Sequence, residues 1–372
     1  MKKELIHKIL YFFITFILIT AFYFEYIYKL IEYEKLLKIL FLLFSILIIL
    51  FNITFFKVKK NLVIIFILCI LMFILKRYYV TFVFFIISSI INLKTRLKIN
   101  LFTLTFYYFL TIFFNSFGIL NFNNLSNGMR KYGELMIFRH SLGFSHPNTA
   151  MAFLLPIFFI IYYLYYSKHE KIIILFMTII GGFIFYYTYS RTSFLLVILF
   201  IILVIIKDKY IIKLRNIFIY DGLFLFILSV VLSFFYSETK LNKILSGRLY
   251  LFKYYLTNYD LTLFGDDVFF KNVRKIYPLD NSYIVTLFEN GVLALILLIL
   301  LTIYIMKILY KNKDYKGIRI FSIILLYGFT EGGAFFYYFN IILLILQEYI
   351  FIVNKNDKKL NEKSNKYNSS YL

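Results

Sequence analysis

Apolar residues run unbroken for roughly 15 to 23 positions at a time, again and again along the chain, and a bilayer core asks for about 20 such residues per helix. Soluble domains hold roughly 45–50% apolar residues, arranged so that apolar faces alternate with polar ones. Here 62% of 372 residues are hydrophobic. Backbone groups in lipid must be satisfied within their own segment, so runs of this kind fold as helices. The predicted fold class is an all-α polytopic membrane protein of about 12 transmembrane helices with two long extracytoplasmic loops.

Spans are predicted near 10–28, 39–56, 61–75, 78–93, 99–120, 149–166, 172–189, 192–206, 216–236, 284–306, 319–335 and 336–353. Segments 61–75 and 78–93 are short, and one bent crossing there would reverse everything that follows. The start Met1-Lys2-Lys3 resembles the first half of a signal peptide. Its apolar run is too long and no small-residue cleavage pattern follows, which predicts a retained first helix.

The formal net charge of +22 would point to nucleic acid in a soluble chain. Here the Lys and Arg residues fall between apolar runs, and no basic stripe lies on a soluble module. They read as topology signals and headgroup contacts, and nucleic acid is excluded as a partner. Short connections rich in cations, such as Lys57/Lys59/Lys60, Lys94/Arg96/Lys98, Lys207 to Arg215 and Lys307 to Arg319, belong inside. Both termini are then cytoplasmic, in the cytoplasmic membrane of a bacterium. The lack of Trp and the surplus of Lys, Ile, Phe, Tyr and Asn suit an AT-rich bacterial genome.

Residues 1–354 read as a single transmembrane domain, and 355–372 as a disordered cytoplasmic tail. The two outer loops cover about 121–148 and 237–283, lengths that suit function better than mere connection. In the second, Leu241, Ile244, Leu245, Leu249 and Phe252 share one face of a helix expected to lie along the membrane surface. The one cysteine, Cys69, excludes an intrachain disulfide, and His7, His140, His146 and His169 lack metal-ligand spacing. Neither a metal nor a cofactor is expected.

Four polar clusters fall at the outer mouths of helices, where unpaired N–H groups and the helix dipole suit phosphate. The first is RHSLGFSHPNTA, Arg139 to Ala150. The plain reading is a helix-entry turn with Pro147 in the first turn. The functional one makes His146 a proton acceptor, or His146 and Asn148 substrate hydrogen-bonders, with Arg139 and His140 beside them. The second cluster, Tyr189 to Ser193, holds Arg191, either a snorkelling anchor or an anion clamp. The third, Ser246-Gly247-Arg248, offers a headgroup contact or a second clamp. Lys253, Lys271, Arg274 and Lys275 nearby read as plain surface charge. The fourth, Asp280-Asn281-Ser282 with Gly291 beyond, offers helix caps or, in Asp280, a general base. Glu331 adds a carboxylate at the last outer turn, and Glu289 lies inside an apolar helix with no partner that the sequence names.

At these residues the chain resembles the bacterial O-antigen polymerase and ligase superfamily. GFSHPNTAMAF, from Gly143, is similar to the His-Pro-Asn element of capsule repeat-unit polymerases. YSRTSFLL, from Tyr189, resembles the family's short outer turn with its arginine. SGRLYLFKYYL, from Ser246, followed by LFGDD at Leu263, resembles its second-arginine element. DNSYIVTLFENGVLA, from Asp280, resembles its closing motif in the spacing of Asn281 and Gly291. Asp280 stands where that motif commonly has His, which weighs against a ligase and for a polymerase.

The resemblance implies transfer of a growing glycan from undecaprenyl pyrophosphate to a hydroxyl of another lipid-linked repeat unit, for capsule or O-antigen. Arg191 and Arg248 would stabilise the leaving pyrophosphate, and His146 or Asp280 would take the hydroxyl proton. Arg139, His140, Asn148, Asn281 and Glu331 would bind substrate. The implied partners are the undecaprenyl-pyrophosphate-linked glycan, membrane lipid, and flippase and chain-length regulator proteins. The alternatives are an O-antigen ligase or a flippase for lipid-linked oligosaccharide. A flippase calls for charge at midplane depth, and the helix centres here are nearly free of it.

Overall fold

The computed structural model describes residues 2–23, 91–119, 129–132, 135–236, 239, 240, 242, 245, 247–332 and 341–349. The predicted spans 39–56 and 61–75, nearly all of 78–93 and the tail 355–372 lie outside these. The chain groups into two compact units, Met1–Ser190 with Ile341–Leu372, and Arg191–Asn340. Three helices among the described residues are long and apolar enough to cross a membrane: Leu93–Ser116, Pro147–Thr188 and Ser282–Lys311. Arg191–Ile205 and Asp221–Tyr236 are shorter apolar helices.

The first unit contains α1 (Lys2–Phe22), α2 (Leu93–Ser116), strands β1 (Met129–Tyr132) and β2 (Leu135–Phe138), and α3 (Pro147–Thr188). Residues 341–349 are helical and belong to it. Helix α2 begins ahead of the predicted 99, because the Asn92 side chain caps it by accepting from the Thr95 N–H at 2.9 Å. The cations read as a connecting loop therefore stand in its first turns. Arg96 among them is only 1% exposed and donates to Gln347 and, at 2.7 Å, to Glu348. That arginine is an interior ion pair rather than a headgroup contact.

Helix α3 covers 42 residues but leaves helical geometry at His169, where φ is −139° and ψ is 45°. Its halves fold back on each other. Phe158 meets Phe176 across the break at 6.0 Å, and Arg139 bonds to both Asn148 and Thr188. The two spans predicted at 149–166 and 172–189 are thus a helical hairpin with a single-residue break. The ribbon β1–β2 departs from the all-α expectation. It pairs Met129 with Phe138 and Tyr132 with Leu135, antiparallel across a two-residue link. Tyr, Ile and Phe favour extended backbone there, and a link that short suits a hairpin.

The second unit contains α4 (Arg191–Ile205), α5 (Asp208–Lys213), α6 (Arg215–Ile219), α7 (Asp221–Tyr236), α8 (Arg248–Asn258) and α9 (Asp267–Ile276). The short α10 (Ser282–Val285) passes through a π-helical turn, Thr286–Asn290, into α11 (Gly291–Lys311), and α12 (Tyr315–Thr330) follows. Asp314 starts α12 ahead of the predicted 319 by accepting from the Gly317 N–H at 2.9 Å. Gly222 lets α7 approach α11, since a Cβ there would stand 2.7 Å from the Thr302 hydroxyl. Arg319, 5% exposed, donates to the carbonyls of Leu203 and Ile206 at 2.8 and 2.6 Å and to Asp208 at 2.7 Å. It satisfies carbonyls that the end of α4 leaves without intrahelical partners.

The predicted surface helix at 241–259 is different. Leu241 and Ile244 lie outside the described residues. From Arg248 the helix packs against α7, with Leu249, Phe252 and Tyr255 essentially buried. Its apolar face meets protein rather than lipid.

Candidate functional site

Arg248 is the first residue of α8, placed there by Gly247 at φ +82°, a left-handed conformation that favours glycine. Its side chain is the hub of the second unit's polar end. One guanidinium nitrogen donates to the Thr192 hydroxyl at 3.1 Å. The other donates to Glu331 at 2.9 Å and to Asp280 at 3.3 Å. Segments far apart in sequence are thereby gathered: the turn carrying Arg191, the α8 start, the α10 entry and the α12 end.

The two carboxylates are held differently. The Glu331 side chain is 16% exposed and the Asp280 side chain 43%. Glu331 ends α12 in extended conformation, its N–H bonded to the Tyr327 carbonyl, while its own carbonyl accepts from the Ser282 hydroxyl at 2.6 Å. Burial pushes the Glu331 carboxyl up to about 7; Arg248 pulls it down and Asp280 adds to the rise. For Arg248, burial works against the charge, but Glu331 and Asp280 outweigh it and hold its pKa above the ordinary value. Arg191 is half-buried at the first position of α4 and neighbours Thr192.

Asn281 stands elsewhere in the scheme. It is fully buried and caps α10, its oxygen accepting from the N–H groups of Tyr283 and Ile284. Its amide nitrogen donates to the Ser229 hydroxyl at 2.9 Å and the Phe329 carbonyl at 3.0 Å. Every hydrogen-bonding direction of the amide is used inside the protein. Asn281 is a positioning residue that pins the Asp280 backbone between α7 and α12.

The LFGDD segment serves the same end. Gly265 and Gly291 face each other so closely that a Cβ on either would lie 2.5 Å from the other's backbone nitrogen. The Asp266 N–H donates to the Phe288 carbonyl, and the Val292 and Leu293 N–H groups donate to Thr262 and Leu263. Helix α9 is capped by Asp266 and fastened by Phe270, buried among Tyr255, Tyr259 and Phe288. Glu289 finds its partner here: Arg274 donates to it at 2.7 Å. Arg274 is therefore a fastening rather than plain surface charge. Arg274→Ala leaves a largely buried carboxylate unpaired and should lower stability by about 1–3 kcal/mol. Arg274→Ala/Glu289→Gln should recover part of that in thermal unfolding in detergent, because the uncompensated charge goes with it.

The first cluster lies in the first unit. His146 caps α3, its Nδ1 accepting from the Asn148 N–H at 3.1 Å. An Nδ1 so engaged is not open to take a proton from a substrate hydroxyl, so the proton-acceptor role expected of His146 is not supported at that nitrogen. Arg139, 8% exposed, donates to the Asn148 side chain at 2.6 Å and to the Thr188 carbonyl at 2.9 Å, joining both ends of the hairpin. His140 is exposed, its ring beside Phe138 and Tyr187. In the sequence Ser229 draws no notice, Thr192 and Ser282 stand only inside their polar clusters, as a turn residue and a helix cap, and Arg274 reads as surface charge. Small hydroxyls in apolar helices are common, and nothing in their spacing ties them to a partner. No family model, no curated protein and no solved structure matches the chain.

Proposed function

We propose that this chain is a membrane-embedded glycosyltransferase that polymerises undecaprenyl-pyrophosphate-linked repeat units of capsule or O-antigen at the outer face of the bacterial cytoplasmic membrane. The observation that supports it best is the Arg248 guanidinium held among Glu331, Asp280 and Thr192, the residue that follows Arg191 in the chain. The reaction needs cationic donors for a leaving pyrophosphate and a carboxylate for a departing proton, and this group holds both. Asp280 is the looser and more exposed carboxylate, so an incoming phosphate oxygen can take its place on Arg248 while Glu331 keeps the guanidinium oriented. The acceptor hydroxyl oxygen then bonds to the anomeric carbon. The bond from that carbon to pyrophosphate breaks, and its electrons leave with the pyrophosphate, whose charge Arg248 and Arg191 stabilise. The hydroxyl proton passes to Asp280 or Glu331. His146, Asn148, Arg139 and His140 are proposed to hydrogen-bond glycan hydroxyls.

The test is the lipid-linked glycan profile of a strain deleted for this gene, with membrane-impermeant labelling to assign sides. The expected outcome is single lipid-linked units exposed outside and no polymer. Units stranded on the inner leaflet would show a flippase instead. A second prediction follows from Glu331. A carboxyl with a pKa of about 7 is protonated below that pH and becomes an acceptor above it. If Glu331 takes the proton, polymerisation should fall roughly tenfold per unit of pH below about 7, and Glu331→Gln should lose that dependence together with most activity.

A further inference from the structure

The 261–277 segment carries an apolar surface that the proposed reaction does not use. Leu261, Leu263, Phe264, Val268, Phe269 and Ile276 are between 48% and 74% exposed. On α9 the split is by face. Phe270 and Arg274 fasten one side of the helix to its own unit, and Val268 and Ile276 stand on the opposite side, 74% and 73% exposed. Asn272 stands between Val268 and Ile276 on that side, and Lys271 and Lys275 run along one flank of it, donating to Asp267 at 2.8 Å and to Asn272 at 2.9 Å.

The height of this surface follows from its tether. Thr262 and Leu263 accept hydrogen bonds from the N–H groups of Val292 and Leu293, in the first turn of α11. That helix belongs to the apolar segment Ser282–Lys311. Leu293, Ile296, Leu297 and Leu300 are exposed along it, an outward stripe of the kind that faces lipid. Leu263 meets this stripe at its upper end, so the loop's apolar surface continues it.

We infer that residues 261–277 form a wedge that lies in the outer interface of the bilayer, with α9 in the membrane plane, its apolar face in the acyl chains and its lysine flank among anionic headgroups. The geometry matches what an interfacial helix needs: an apolar face that inserts about 5–10 Å and a cationic edge at headgroup depth. The fastening of α9 by Phe270 and Arg274 makes the wedge rigid against the Arg248 group's own unit. It fixes the depth of that unit's polar end in the membrane. This rests on Ser282–Lys311 crossing the bilayer.

The chain contains no tryptophan, so single substitutions give site-specific fluorescence. Phe264→Trp, Ile276→Trp and Leu297→Trp are made in the full-length protein. Each is reconstituted in phosphatidylcholine–phosphatidylglycerol vesicles with bromine near the top or near the end of the acyl chains. Phe264→Trp and Ile276→Trp should lose at least about half their emission with the shallow bromine and little with the deep one. Leu297→Trp serves as the reference within the span and should respond more strongly to deeper bromine. Quenching of Phe264→Trp and Ile276→Trp by aqueous iodide alone would overturn the wedge. So would resistance to both quenchers, which would mean that protein, another copy included, covers the surface. If Leu297→Trp also ignored bromolipid, the crossing itself would be refuted and the wedge with it. If it responded and the other two did not, only the wedge would fall.

Discussion

Arg248→Ala is expected to lower polymer output by at least about 100-fold, with single lipid-linked units accumulating, because the group proposed to meet the leaving pyrophosphate is gone. Arg248→Lys should rescue little. The planar guanidinium reaches Thr192, Glu331 and Asp280 at once, and an ammonium is a point charge that cannot span them. The alanine variant also strands Glu331 without its counter-charge, which should cost about 1–3 kcal/mol in stability. Loss of fold and loss of chemistry can therefore be separated. Arg248→Ala/Glu331→Gln removes the stranded charge and should regain thermal stability toward the parent value, yet still make no polymer. Full-length polymer from either variant would remove Arg248 from the reaction.

Gly291→Ala is expected to be the most damaging of the small substitutions. Gly291 sits at φ 88° and ψ 172°, a region open almost only to glycine, and a residue forced there costs about 1–3 kcal/mol. A methyl group would also run into the Leu263 carbonyl and lie 2.5 Å from the Gly265 nitrogen, where backbone rather than a pliable side chain would have to move. Overpacking of that kind adds about 1–3 kcal/mol. The expected result is a large drop in melting temperature and in yield of monodisperse protein, with Gly265→Ala close behind. Gly182→Ala is the matched control. It lies inside α3 with nothing within 4 Å of the added methyl, and it should be neutral or stabilise by up to about 1 kcal/mol.

The described helices stand close to where apolar runs placed them, since run length and helix-entry residues are local properties of the chain. The α3 hairpin illustrates it: His169 falls between the two predicted spans. Candidate residues were legible as polar clusters, and Arg248, Asp280, Glu331 and the Arg191 turn do share one end of one unit. Other features depended on neighbours that no periodicity names. Helical spacing marked Leu249 and Phe252 as an apolar face, but that face meets α7 instead of lipid. The exposed amphipathic helix is α9, hidden in the sequence by its shortness and by the acidic pair at its start. Asn281 was legible as a helix cap, while its grip on Ser229 and Phe329 spans about 50 residues in either direction and leaves no local trace. Glu289 and Arg274 pair across a loop that turns back, so their spacing matches neither a helix nor a strand.

Helix α4 carries arginines at both ends: Arg191 at its first residue, and Arg319 of α12 on its final carbonyls. It has 15 residues, which at the α-helical rise extends for about 22 Å, whereas a bilayer's hydrocarbon is about 30 Å thick. Where this helix crosses, a hydrophobic mismatch of that size is met by snorkelling of Arg191 or by local thinning of the bilayer, because the pinned helix cannot lengthen. With thinning, the Arg248 group would lie at the bottom of a dimple, and phospholipid headgroups would sink toward it. A polyprenyl pyrophosphate entering sideways from the leaflet would bring its phosphates to guanidinium depth without being pulled out of the membrane.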